Sequence, residues 1–149
     1  MEPQARLGEL VDKLREMECR ITPQRMAVLK ILATSEEHLT AEQIYAQVTV
    51  DLPTTSLATV YKTLSLLEDM GEVLALTLGN GVKRYDGIRP FPHPHLVCTN
   101  CGAIVDLPPE ALDEITKQAE GETGYEITSH RLVFYGVCPR CQGADAPYP

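Results

Sequence analysis

Two pairs of cysteines in the second half of the chain constrain its fold more than any other feature. They are Cys98-Thr99-Asn100-Cys101 and Cys138-Pro139-Arg140-Cys141, with 36 residues between them. Each C-x2-C turn can point two thiolates at one ion, and four thiolates complete the tetrahedral shell of a structural zinc site. Redox pairs or simply buried cysteines are the alternative. Zinc binding here is expected to supply on the order of 10 kcal/mol of folding free energy to this half.

The composition is that of a globular protein. Of the 149 residues, 44% are hydrophobic and 23% charged, so the chain can bury a core. No apolar run approaches the roughly 20 residues of a membrane span, and the N-terminus leads into alternating charge rather than a signal peptide. The expected location is therefore the cytoplasm, where thiols stay reduced and cysteines serve as thiols or metal ligands.

The charge balance argues against nucleic-acid binding over the whole surface. The chain has 13 Lys and Arg against 21 Asp and Glu, a net charge of −8, whereas phosphate-binding domains are usually basic. Two stretches differ from this average. Residues 20–30 carry three cations and no acid, and Lys62 is the only charge in residues 52–67. Any contact with DNA is expected to come from these two stretches.

The first half is predicted to be a winged helix-turn-helix. Apolar spacing and capping signals predict four helices, at about 2–18, at 22–35, from the capping box Thr40-Ala41-Glu42-Gln43, and at 56–70. The apolar face of the first helix is Leu7, Leu10, Val11, Leu14 and Met17. After Gly71 the apolar pattern changes from that of a helix to that of extended strands, predicted at 73–78 and 82–85 and joined by the turn Gly79-Asn80-Gly81. This DNA-binding type of domain is expected to span residues 1–86.

Residues 87–92 contain two prolines and are predicted to be a hinge. Beyond it we expect strands at 95–98 and 103–107, a helix at about 109–122 with Leu112, Ile115 and Ala119 facing inward, and a long strand at 125–135. The overall class is α+β, with residues 93–149 forming a small α/β domain. A domain of this size needs a metal or an oligomeric partner for stability. The tail, 142–149, is expected to be loose.

Histidines and aspartates around the hinge form a second group of potential metal ligands. In an extended segment His93 and His95 project to the same side, with Asp86 before them and Asp106 on the next strand. His38 could complete a shell of three nitrogens and two carboxylates that bridges the domains. Such a shell suits Fe²⁺ or Mn²⁺ and would also accept Zn²⁺ or Ni²⁺. The alternative is that these are solvated loop histidines, with His38 at a helix edge.

Several motifs resemble the ferric uptake regulator (Fur) family, in order and spacing, from about Met17 to Cys141. Besides the two cysteine pairs, they are Arg20-Ile21-Thr22-Pro23-Gln24-Arg25, His38-Leu39-Thr40-Ala41-Glu42-Gln43-Ile44-Tyr45, Thr59-Val60-Tyr61-Lys62-Thr63-Leu64 and His93-Pro94-His95-Leu96-Val97-Cys98. The resemblance implies a dimeric bacterial repressor with an N-terminal winged helix and a C-terminal dimerisation domain. It also implies a structural four-cysteine zinc and a regulatory metal that controls binding to double-stranded operator DNA.

The resemblance assigns the regulatory metal to His38, Asp86, His93, His95 and Asp106. Both carboxylates are Asp, which resembles the peroxide-sensing (PerR) branch, whereas the iron-sensing branch tends to place Glu. In PerR-like members a histidine ligand of bound Fe²⁺ is oxidised by peroxide, which would make His38 and His93 the sensors. An iron- or manganese-responsive repressor without peroxide sensing remains the alternative.

A third metal site of the family is not expected here. Pro92 and Pro94 occupy two of its ligand positions, which leaves only Asp113 and His130.

The fourth helix is the candidate recognition helix. Its exposed face is polar and free of acids, and its hydroxyls suit phosphates while Tyr61 suits a thymine methyl group. The predicted DNA contacts are Arg20, Arg25, Thr55, Ser56, Thr59, Tyr61 and Lys62, with the wing pair Lys83-Arg84 as additional candidates. A purely packing helix is the alternative, since Val60, Leu64 and Leu67 face the core.

The sequence thus predicts a homodimeric, metal-dependent DNA-binding repressor without catalytic residues. Two other classes remain open. One is a zinc hydrolase in which His93 and His95 hold the ion and Asp86 or Asp106 acts as base, although no nucleophile motif accompanies them. The other is a zinc-ribbon module that binds proteins and not DNA.

Overall fold

The structure, a computed structural model, describes residues 2–78 and 81–143. The chain divides into two compact units, residues 1–91 and 92–149, and the division falls inside the segment predicted as a hinge. In the part of the chain that is described, no helix has both the length and the apolar character needed to cross a membrane.

Four helices of the first unit begin at the signals that the sequence predicts. They are α1 (Pro3–Glu16), α2 (Pro23–Thr34), α3 (Ala41–Asp51) and α4 (Leu57–Asp69). The side chains of Thr22, Thr40 and Ser56 each accept a hydrogen bond from the backbone N–H three residues later, which satisfies amides that have no partner within the helix. The predicted capping box is confirmed, because Gln43 also accepts from the N–H of Thr40 at 2.9 Å.

The apolar stripes of these helices meet in one core. Its fully buried members include Leu10, Leu14, Leu29, Ile44, Val60, Leu64 and Leu67. Met17 was predicted to join them and does not, since it is 61% exposed. The reason is that α1 ends at Glu16, and Glu18 then turns the chain away with a left-handed φ of 56°.

A three-stranded sheet completes the first unit. Its strands are β1 (Leu39–Thr40), β2 (Leu74–Leu78) and β3 (Val82–Asp86), in the order β1-β3-β2. The hairpin β2–β3 confirms the two predicted strands, and Gly81 has the expected positive φ of 78°. Gly79 and Asn80 of the predicted turn lie outside the described residues. Because Leu39 pairs with Tyr85 in antiparallel register, the residue before β1 comes opposite the end of β3.

The second unit is built on a sheet of three short strands. β4 (His95–Cys98) is central, β5 (Ile104–Asp106) pairs antiparallel to it, and β6 (Val133–Gly136) pairs parallel on the other side. A 3₁₀ turn (Pro109–Leu112) leads into α5 (Asp113–Thr123), and α6 (Pro139–Gln142) is a single short turn. The end of the tail, residues 144–149, lies outside the described residues.

Two predictions for the second unit are wrong. The long strand at 125–135 is only four residues, because each residue of β4 is already paired with one residue of β6. Ile115 was expected to face inward with Leu112 and is 62% exposed. The predicted single helix is instead a 3₁₀ turn that ends at Leu112, followed by α5, which begins at Asp113 and buries none of its own residues.

Candidate metal centres and nucleic-acid interface

The four paired cysteines come together at one end of the second unit's sheet. Cys98 ends β4 and pairs with Gly136, so the turn after Cys98 and the turn after Cys138 lie side by side. All four Sγ atoms are within 4.8 Å of one another, and those of Cys101 and Cys138 are 3.8 Å apart. Tetrahedral thiolates at 2.3 Å from zinc are separated by about 3.8 Å, so the donor set and its spacing fit Zn²⁺.

The surroundings of these thiols differ within the cluster. The N–H groups of Cys101 and Cys138 donate to Sγ of Cys98 at 3.5 and 3.4 Å and lower the pKa of that thiol to about 6. A hydrogen bond with Cys138, together with burial, raises the pKa of Cys141 to about 12. Four negative charges at this spacing repel one another, so the four thiols do not all ionise unless a cation compensates them. The four thiols therefore suit a divalent metal ion.

The second unit also gathers three of the predicted nitrogen and oxygen ligands. His95 is the direct strand partner of Asp106, and His93 lies two residues earlier on the same side. Nε2 of His93 and of His95 are 3.4 and 3.2 Å from Oδ1 of Asp106, and the two rings are 4.4 Å apart. Both histidines are at least 96% buried. Two imidazoles and a carboxylate converging in a buried position form a donor set for a first-row transition metal.

The first unit brings the remaining two predicted ligands together. His38 precedes β1 and comes opposite Asp86 at the end of β3, where His38 Nε2 and Asp86 Oδ2 are 3.5 Å apart and both side chains are buried. Asp86 Oδ1 accepts from the N–H groups of Ile88 and Arg89, at 3.0 and 2.9 Å. Arg84 donates to the carbonyl of His38 at 3.0 Å. Sheet register therefore explains why residues so far apart in sequence meet.

Asp113 and His130 do not belong to a cluster of three or more potential ligands within residues 2–78 and 81–143.

A cavity of about 390 Å³ lies between the start of α2 and the start of α4. Its ten lining residues are all polar, three of them are cationic and none is acidic: Arg20, Thr22, Gln24, Arg25, Thr54, Thr55, Ser56, Thr59, Lys62 and Thr63. Six of the seven predicted DNA contacts are among them. In a chain with a net charge of −8, such a surface attracts anions locally. The amides of two helix N-termini add to that attraction.

One of these predicted contacts needs correction. Thr55 is 5% exposed and its Oγ1 is enclosed, so its hydroxyl is not offered to a partner outside the protein. The reason is local: the N–H of Thr55 donates to the carbonyl of Leu52, which folds the turn before α4 inward. Thr55 therefore shapes the turn, while Ser56 begins the exposed face.

Tyr61, the seventh predicted contact, has a partner that the sequence does not reveal. Its ring is 40% exposed on α4, and its hydroxyl donates to Oε1 of Glu42 on α3 at 2.6 Å. This bond lowers the pKa of Glu42 and raises that of Tyr61. The wing cations are also engaged, because Lys83 contacts Glu68 at 3.1 Å and Arg84 bonds to His38. No periodicity or spacing signals these pairs, since they depend on how α3, α4 and the hairpin pack.

Comparison with known proteins places these features in one family. The model of the ferric uptake regulator family matches residues 16–135. The peroxide-responsive repressor PerR of Staphylococcus aureus is 41% identical over 136 residues, covering 91% of each chain.

Solved structures of related regulators have a similar fold. The Campylobacter jejuni peroxide stress regulator is 35% identical with a TM-score of 0.70 and covers 89% of this chain and 98% of its own. PerR from Streptococcus pyogenes is 36% identical with a TM-score of 0.53, covering 91% and 92%. The Helicobacter pylori ferric uptake regulator shares the fold, with a TM-score of 0.81 at 22% identity and 97% coverage of both chains.

Proposed function

The chain belongs to the ferric uptake regulator family and is a metal-dependent transcriptional repressor, and we propose that its regulatory metal is Fe²⁺ or Mn²⁺ and its inducer peroxide. The observation that carries this proposal is that each unit gathers its own potential ligands in a chain 41% identical to a peroxide-responsive repressor: His38 lies beside Asp86 in the first unit, and His93 and His95 lie beside Asp106 in the second. A second metal, the structural Zn²⁺, is assigned to Cys98, Cys101, Cys138 and Cys141.

The regulatory ion is proposed to bind His38, Asp86, His93, His95 and Asp106. Nitrogen and carboxylate ligands without thiolate favour Fe²⁺ or Mn²⁺ over metals that prefer sulfur. His38 and Asp86 belong to the unit that carries α4, so an ion that needs all five ligands makes the DNA-binding state depend on metal. The metal can shift that equilibrium only by its difference in affinity for the two states.

Residues 1–86 are proposed to bind operator DNA. Support comes from the acid-free cavity beside α4, which accounts for phosphate contacts by Arg20, Arg25 and Lys62. Ser56 and Thr59 line the same cavity, Tyr61 is exposed elsewhere on α4, and all three are proposed to contact the DNA. The acidic remainder of the surface then limits non-specific binding.

Residues 93–149 are proposed to form a homodimer. Leu96 pairs with Val105 on one side and with Phe134 on the other, so the three side chains form a row across the sheet. They are 37%, 56% and 45% exposed, respectively. A row of exposed apolar side chains on a small domain is typical of an interface, and a second copy covers it symmetrically. A dimer also presents two copies of α4 to successive half-sites.

Peroxide is proposed to act on a histidine ligand. Bound Fe²⁺ supplies the redox chemistry, and the net change adds one oxygen atom to a ring carbon of His38 or His93, while the second peroxide oxygen leaves as water. A modified imidazole is a poorer ligand, so metal and DNA are both released. Mn²⁺ lacks this reactivity and would leave the repressor insensitive.

Mass spectrometry after peroxide treatment tests the proposal. The Fe²⁺-loaded protein should gain one oxygen on the peptide that contains His38 or His93 and lose operator binding, whereas the Mn²⁺-loaded protein should do neither. If the iron form gains no oxygen, the chain is an iron- or manganese-responsive repressor. If apo and metal-loaded protein bind the operator equally, the assigned regulatory shell is wrong.

A further inference from the structure

Arg6 is a buried cation that the functions described so far do not use. It lies on α1, is 4% exposed, and donates from Nε to the carbonyl of Gly87 and from Nη2 to the carbonyl of Glu72, both at 2.7 Å. Nη1 also contacts the carboxylates of Glu72 at 3.0 Å and Glu9 at 3.2 Å. Glu72 and Gly87 lie where the chain enters and leaves the β2–β3 hairpin. One guanidinium therefore holds both segments at the base of this hairpin.

Gly87 is held from its other side as well. A Cβ atom on this residue would lie 2.7 Å from Cβ and 2.9 Å from the carbonyl oxygen of Leu32, so its backbone packs directly against α2. The bond from Arg6 to its carbonyl then fixes how the peptide is oriented. The residue immediately before this peptide is Asp86.

The orientation of the Asp86 carboxylate follows from this backbone. Oδ1 accepts from the N–H groups of Ile88 and Arg89, so the carboxylate turns with the segment that begins at Gly87. Oδ2 is the oxygen that approaches His38, at 3.5 Å. Arg6, Gly87 and the turn at 86–89 thus form a continuous path from α1 to this pair.

We propose that Arg6 is a positioning residue that acts through Gly87 to aim the Asp86 carboxylate, and thereby sets the affinity of the regulatory metal site. The inference rests on the proposed function, since it takes Asp86 to be a ligand. Groups that orient a metal ligand from outside its shell typically change metal affinity by about 10- to 100-fold when removed. α1 is then a functional part of the sensor, in addition to its role in packing.

The experiment measures Mn²⁺ affinity of the full-length, zinc-loaded protein by electron paramagnetic resonance. Arg6→Met should weaken binding about tenfold or more. Arg6→Lys keeps the charge but has no planar set of donors that can bond to both carbonyls at once, so it should lose less Mn²⁺ affinity than Arg6→Met. It also provides the test if the Met variant does not fold. Glu9→Gln, which removes only the exposed partner of the same guanidinium, and Leu14→Ala, which destabilises the same helix away from Gly87, should keep wild-type affinity.

A double-mutant comparison separates positioning from general damage. In an Asp86→Ala background, titrated to millimolar Mn²⁺, Arg6→Met should have no further effect, because the ligand through which Arg6 acts is gone. Equal weakening in both backgrounds, or wild-type affinity of Arg6→Met and Arg6→Lys, would overturn the positioning role. Wild-type affinity of Asp86→Ala alone would instead overturn the ligand assignment, so the two failures are distinguishable.

Discussion

The first unit buries leucine, isoleucine and valine side chains from all four of its helices, whereas the described part of the second unit buries few apolar residues: Leu112, Pro94 and two cysteines, besides His93 and His95. The first unit therefore owes its stability to apolar burial, at about 25 cal/mol for each Å² removed from water. The second unit has four clustered thiols at one end of its sheet. The same sheet exposes the row of apolar side chains formed by Leu96, Val105 and Phe134. The difference teaches that one chain can combine a unit with its own apolar core and a unit without one, for which we propose stabilisation by zinc and by a second copy of the chain.

Zinc removal should have the largest effect. If both units lost stability to the same extent, the contrast between them would be wrong. Stripping the metal, or replacing Cys98 with Ser, should cost the second unit on the order of 10 kcal/mol and unfold it. Hydrogen exchange followed by mass spectrometry should then show lost protection in residues 93–143 and retained protection in the helices of the first unit. Continued protection of β4 and β6 without zinc would show that the second unit has an adequate core of its own.

Truncation of a core leucine should show the opposite pattern. Leu64→Ala removes a fully buried side chain of α4 and should destabilise the first unit by about 2–5 kcal/mol in urea unfolding, without changing zinc content. The matched variant Ile115→Ala, at a position that is 62% exposed in the second unit, should change stability by less than about 0.5 kcal/mol. A large effect of Ile115→Ala would mean that the dimer covers this position.

The same contrast explains how much of the molecule could be predicted from sequence. Caps, helix starts, the hairpin and the clustered cysteines are local or strongly patterned signals, so Thr22, Thr40 and Ser56 were placed correctly. The predicted inward position of Ile115 was wrong because a 3₁₀ turn replaces the start of the predicted helix. The predicted strand at 125–135 was too long because its length is set by the partner strand β4. The contacts of Arg6 with Gly87 and of Glu42 with Tyr61 could not be predicted, because the partners are 81 and 19 residues apart in sequence and meet only through packing.

A change in the first unit's cavity should affect DNA binding and leave both metals in place. Lys62→Gln removes one cation from the acid-free surface, so operator affinity should fall and the slope of log K against log salt should decrease by about 0.9 if that cation meets one phosphate. Fluorescence anisotropy at several salt concentrations measures both quantities. Lys13→Gln, an exposed lysine on α1, is the control and should leave the slope unchanged.

Glu42 offers the smallest and most selective test, because it is an exposed carboxylate bonded to a predicted DNA contact. Glu42→Gln keeps an oxygen that can accept from the Tyr61 hydroxyl but removes a charge that DNA phosphates repel. Affinity for non-specific DNA should therefore rise roughly threefold at low salt, with a smaller gain for the operator, and the difference should fade as salt is added. Glu42→Ala, which removes the acceptor too, should lose operator preference because the Tyr61 ring is no longer held. If both variants behave alike, the carboxylate acts only through its charge, and the bond to Tyr61 plays no part in recognition.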